Sequence, residues 1–172
     1  VKVDSTDHLS YDKKRTYGCR IDLPSEAART AALAYALVAN NPSCQFFGAL
    51  VWYTTWDTGT PQIEQCGLKA VEQMRRGYGA GASIENAPAQ LFRTDEMVDA
   101  QTFFTLALLW GWDAYYVPHG RRHFAYARQN GSLYLVTDDE RELDGLLAAF
   151  SAYRPVVQLP TYLAASTGGG LS

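Results

Sequence analysis

The sequence predicts an α+β fold: a single domain in which a four- or five-stranded mixed or antiparallel sheet packs with about four helices. Three observations carry this. Runs with helical spacing alternate with short β-rich runs, but the last three β-rich runs follow one another with no helix between them. That order favours helices on a mixed or antiparallel sheet over a parallel array. The chain has 172 residues, which suits one compact domain with a sizeable core. Its composition, 47% hydrophobic and 19% charged, belongs to a globular chain rather than a disordered one. No internal repeat and no linker divides it, so the domain is expected over 14–160, between a flexible N-terminal arm (1–13) and a flexible C-terminal tail (161–172).

The arm is assigned because residues 1–13 are polar and charged and lack apolar periodicity. Thr16 to Ile21 predicts the first strand, with Tyr17, Cys19 and Ile21 on one face and Gly18 weakening it. Asp22-Leu23-Pro24-Ser25-Glu26 then opens a helix. Proline in the first turn forfeits no hydrogen bond, and Glu26 favours the positive end of the dipole. Ala27, Ala31, Ala34, Tyr35 and Val38 recur at helical spacing as its expected buried stripe, and Asn40-Asn41-Pro42 stops it. Phe46 to Tyr53 is continuously apolar and rich in β-formers, the pattern of a central strand covered on both faces.

A second helix is expected with Thr60 as cap and Pro61 in its first position. Ile63, Cys66, Ala70 and Met74 would face inward with Gly67 and Val71 beside them. Lys69, Glu72, Arg75 and Arg76 would face outward, and Gly77 would end the helix. The glycine-rich run Gly77 to Ser83 follows a helix and leads into Asn86-Ala87-Pro88. Phosphate-cradling loops instead follow a strand and open a helix, so this run reads as a flap.

The third helix starts near Thr94 or Asp95, with Asp95, Glu96 and Asp99 at its positive end. Phe103 to Trp110 is apolar on nearly every side, as in an enclosed helix, and Gly111 terminates it. Three strands follow: Trp112 to Val117, His123 to Arg128 and Ser132 to Thr137. Pro118–Arg122 joins the first two, and Asn130-Gly131 marks the second turn as a hairpin. Thr137 and Glu140 stand three apart as in a capping box, before a helix with Leu143, Leu146, Leu147 and Phe150 on one face. Pro155 to Leu159 reads as a short edge strand or a tail on the surface.

The totals restrict function. A net charge of −3 argues against extended nucleic-acid binding, which needs a basic footprint. No apolar run approaches the roughly 20 residues of a membrane span. The three cysteines, Cys19, Cys44 and Cys66, are widely spaced and odd in number. They match neither a disulfide framework nor a zinc pattern, which favours a reducing, cytoplasmic setting. No motif calls for a cofactor.

Within 103–137 a cationic tip stands out against an otherwise acidic chain: Arg121-Arg122 flanked by His119 and His123. Nearby aromatics offer stacking faces. The leading expectation is a binding module for a partner protein or a small anionic ligand. Its site would be Trp56, Trp112, Tyr115, His119, Arg121, Arg122 and His123, the Arg- and aromatic-rich composition of interface hot spots. The competing role for the arginines is pairing with the chain's own carboxylates between Asp138 and Asp144.

The alternative is a cysteine- or histidine-dependent hydrolase, with Cys19, Cys44 or Cys66 as nucleophile, His119 or His123 as base and Asp113 as the orienting group. No cysteine sits at an evident strand-to-helix elbow, so no catalytic residue is assigned. A metal site is not expected either. His119 and His123 lie four apart across a turn, with no glutamate of the zinc-protease motif, although Asp113 offers a third ligand type. Self-association as a homo-oligomer through the aromatic surface is a third possibility.

Overall fold

The computed structural model describes residues 2–3, 9–10, 16–39, 46–51, 62–79, 81–82, 89–118, 120–128 and 130–161. In chain order the elements are β1 (Lys2–Val3), β2 (Leu9–Ser10), β3 (Tyr17–Asp22), α1 (Ala27–Ala39), β4 (Phe46–Val51), α2 (Gln62–Gly77), β5 (Ala89–Arg93), α3 (Met97–Leu109), β6 (Ala114–Pro118), β7 (His123–Arg128), β8 (Ser132–Thr137), α4 (Glu140–Ala149) and β9 (Val156–Val157). Single 3₁₀ turns precede α3 and follow α4.

The α+β class stands, with one principal sheet among the described residues. Its order is β5-β4-β6-β7-β8-β3-β9, and every pairing is antiparallel. The five strands β3, β4, β6, β7 and β8 are the five that the β-rich runs predict. Two edge strands flank them: β9, the short edge strand foreseen near Pro155, and β5, in a stretch to which the sequence assigns no element. β5 is edge-paired to β4 alone. Within the segment expected as an arm, β1 and β2 pair with each other.

Strand alternation sorts the side chains into two packed layers. On one face Cys19, Ile21, Ala114, Tyr116, Ala125, Ala127, Leu133 and Leu135 join residues of α1, α3 and α4 in the main core. On the other face Tyr115, Phe124, Tyr126, Tyr134 and Val136 form a second cluster with Leu159 against it. Register makes the second layer a row: Tyr115 pairs with Tyr126, which pairs with Tyr134. The Tyr115 and Tyr126 rings stack 4.4 Å apart. Burial, with the Asp113 charge nearby, pushes the Tyr126 phenol up to about 12.

The helices rotate relative to the expected stripes. In α1 the buried residues are Thr30, Leu33, Ala34, Leu37 and Val38, while Ala27 is exposed and Tyr35 is 58% exposed. Leucines remove more apolar surface from water than alanines do, so their face wins. Thr30 can be buried because its hydroxyl donates to the Pro24 carbonyl at 3.0 Å. In α2 the inward face carries Gly67, Val71 and Arg75, and Ala70 is exposed. Gly67 explains the rotation: a Cβ there would stand 2.2 Å from Nε1 of Trp110, so only glycine lets the indole in. Arg75, expected outside, is buried and pairs with Glu72 at 3.4 Å. The left-handed conformation after α2 falls at Gly79 (φ 79°) rather than Gly77.

Gly111 does end α3 as foreseen. At φ 65° it lets Trp112 N–H reach the Ala107 carbonyl and its own N–H reach that of Leu108, a Schellman closure. Asn130-Gly131 likewise turns β7 into β8, with Gly131 at φ 78° donating to Arg128. The cap of α4 differs from expectation. Asp139, not Thr137, is the N-cap and accepts from the Arg141 N–H at 3.0 Å. Thr137 is the last residue of β8, and its hydroxyl instead supports Asp139 N–H at 3.1 Å. Among the described residues no helix is long and apolar enough to cross a membrane.

Candidate functional site

His123 opens β7 on the same face as Ala125 and Ala127, the face that the helices cover. Its register partner is Thr137, the residue from which the chain turns into α4. The first turn of α4 therefore passes over the end of β7. It delivers Glu142 to His123, with Nδ1 and Oε1 2.7 Å apart. The imidazole is only 5% exposed. Burial lowers its pKa from the ordinary histidine value, and the nearby Arg121 charge adds to this. The Glu142 carboxylate opposes both without overcoming them. The contact is thus a neutral imidazole donating to a carboxylate rather than an ion pair of two full charges. Because a carboxylate only accepts, the shared proton sits on Nδ1, and Nε2 keeps a lone pair.

This pair forms one wall of a pocket of about 180 Å³ lined by Arg121, His123, Arg141, Glu142, Gly145 and Leu146. Leu146 supplies buried apolar surface, and Gly145 leaves room: a Cβ there would meet nothing within 4 Å. Two guanidinium-bearing residues, a neutral imidazole and the Glu142 carboxylate that accepts from it share this concavity.

The two adjacent arginines have different roles. Arg122 turns to the chain's own carboxylates, with Nε and Nη2 at 2.8 and 2.7 Å from Asp138 Oδ1 and Nη1 at 2.8 Å from Asp139 Oδ2. Its carbonyl accepts from the Thr137 hydroxyl at 2.8 Å. Arg122 thereby ties the start of β7 to the N-cap of α4. Arg121 is exposed and lines the pocket.

Of the residues predicted for the site, only Arg121 and His123 are brought together there. Trp112 and Tyr115 are buried in the two core layers, 3% and 1% exposed, and present no stacking surface. They are corrected to packing residues: Tyr115 points from β6 into the second layer, and Trp112, which follows Gly111 and precedes β6, packs into the main core. Trp56 and His119 lie outside the described residues. Arg141, Glu142, Gly145 and Leu146 were not foreseen as site residues. The acidic run 138–144 was visible, but only the fold shows that its helix crosses the end of β7.

Cys19 is fully buried, and that burial, only partly offset by a hydrogen bond from the Leu135 backbone, pushes its thiol up to about 11. It stays protonated and enclosed, which removes it as a nucleophile. Cys44 and the side chain of Cys66 lie outside the described residues. Asp113 does not line the pocket, and the group that orients His123 is Glu142. Among the described residues no three His, Cys, Asp or Glu side chains gather as a metal site. Comparison with protein-family models, curated proteins and solved structures finds no match to this chain.

Proposed function

We propose that the protein is a binding module whose pocket between the start of β7 and the first turns of α4 holds an anionic group, either a small anion or the acidic side chain of a partner protein. One observation carries this reading: Arg121 and Arg141 line the same concavity as a buried, neutral His123. A guanidinium gives an oxyanion charge-assisted hydrogen bonds in a fixed fork geometry, and two of them beside one concavity can act together. Arg122 plays a supporting part, since its charge is spent on Asp138 and Asp139. The test is thermal unfolding with small carboxylates and inorganic phosphate at constant ionic strength. Ligands of the folded state raise Tm by mass action. The native chain is expected to gain stability and the double variant R121A/R141A to gain none, with little difference in Tm between them when no anion is added. An equal gain in both would remove the pocket from the function.

The histidine version of a hydrolase has one observation in its favour, the 2.7 Å contact that orients His123 through Glu142. With no Ser, Thr or Cys among the described residues that line the pocket, that reading takes water as the nucleophile. It predicts turnover of an anionic ester that is lost in H123Q; absence of turnover across an ester panel leaves binding as the function.

A further inference from the structure

The pocket's polar groups are not all of one kind, and the difference selects among anions. Arg121 and Arg141 only donate hydrogen bonds. His123 is different. Its Nδ1 proton is committed to Glu142, so Nε2 of the neutral ring carries a lone pair and can accept. Glu142, the carboxylate in the lining, also only accepts. An anion held by this lining finds donors in Arg121 and Arg141 and, in a neutral His123, a ring nitrogen that can only accept.

We propose that the pocket is built for an oxyanion that carries its own hydrogen-bond donor, hydrogen phosphate being the simplest example, and that His123 reads that donor. This rests on the anion-binding reading above and adds a specificity to it. A fully ionised oxyanion such as sulfate satisfies the arginines equally well. It has no proton for Nε2, so it gains no hydrogen bond from the ring and sets two lone pairs face to face. Inorganic phosphate at neutral pH always retains at least one P–OH. The oxygens of the two ions are arranged alike, so their difference in affinity isolates the proton. Glu142 is a positioning residue here: it holds the Nδ1–H tautomer and leaves the lone pair on Nε2. Replacing its carboxylate by an amide, which can donate as well as accept, releases that constraint.

The experiment compares inorganic phosphate with sulfate as titrants of the full chain by calorimetry, at neutral pH and constant ionic strength. The native protein is expected to prefer phosphate by at least about tenfold, the scale of one lost hydrogen bond at a buried site. In E142Q the preference should shrink toward unity because the ring can turn its proton toward the anion, raising sulfate affinity while phosphate binding persists. H123F should also lose the preference, and circular dichroism establishes that each variant is folded. If H123F fails to fold, E142Q alone decides the matter. Equal binding of phosphate and sulfate by the native chain overturns the donor-reading proposal and leaves the anion pocket standing. An unchanged preference in E142Q overturns the role of the His123–Glu142 pair. Binding of neither anion removes the specificity and counts against the pocket reading itself.

Discussion

The stem and the tip of the β6–β7 hairpin carry the same kinds of residue that make recognition surfaces, yet they end in opposite roles. In the stem, Tyr115 and Tyr126 stack as part of a row within the second core layer, and Trp112, just before β6, is buried in the main core. At the tip, Arg121 is exposed and His123 sits at the rim of a pocket. Beyond residue type, what differs is distance from the end of the sheet. A strand interior has neighbours on both sides, so its aromatics become core. Where the strand begins, one side opens, and polar groups can be half-enclosed instead. Even neighbours diverge there, since Arg122 clamps Asp138 and Asp139 while Arg121 lines the pocket.

The comparison breaks if stem residues prove dispensable for folding or tip residues prove essential to it. Trp112→Ala empties a filled position in the main core and is expected to cost about 3–5 kcal/mol, seen as a large drop in the denaturant midpoint. Asp139→Ala should cost about 1 kcal/mol by removing the cap of α4. It should also weaken anion binding, because that turn carries Arg141 and Glu142. Arg122→Ala is expected to cost about 1 kcal/mol, the upper end for exposed pairs, because its partner Asp138 is nearly enclosed. Arg121→Ala should leave stability within about 0.5 kcal/mol while removing the anion response. An R121A variant with unchanged anion binding would place the site elsewhere.

A pH series sharpens the same contrast. The folded state holds His123 below its ordinary value of 6.5, so the unfolded chain takes up the proton first as pH falls. The stability this histidine contributes is complete above about 6.5 and is lost as pH drops from there through the lowered folded value. Denaturation at stepped pH should show a decline in that window, and H123F should flatten it. A native chain whose stability rises on acidification through the window would contradict the burial argument.

Much of this architecture is legible in the sequence. The five central strands follow from β-rich runs, and Gly111 and Gly131 act where a left-handed residue is needed. Helix faces were less legible. Spacing identifies a stripe, but packing chose Leu33 and Leu37 over Ala27, and turned α2 so that Gly67 could receive Trp110. β5 escaped notice because Ala89 to Arg93 has little β-character and is held by pairing with β4. Of the residues read from the tip, Arg121 and His123 line one pocket. Its other half, Arg141 and Glu142, comes from a helix placed there by the turn after Thr137, and nothing in one-dimensional spacing brings residues 123 and 142 together.

If the start of β7 and the first turns of α4 form one anion site, they must respond to an anion together. Amide chemical-shift mapping of the native chain during a titration with inorganic phosphate tests it most directly. Shifts should concentrate at Arg121, His123 and Arg141 to Leu146, saturate together with a single affinity, and vanish in R121A/R141A. Shifts scattered over the surface, or a saturating site that leaves these residues unmoved, would contradict it.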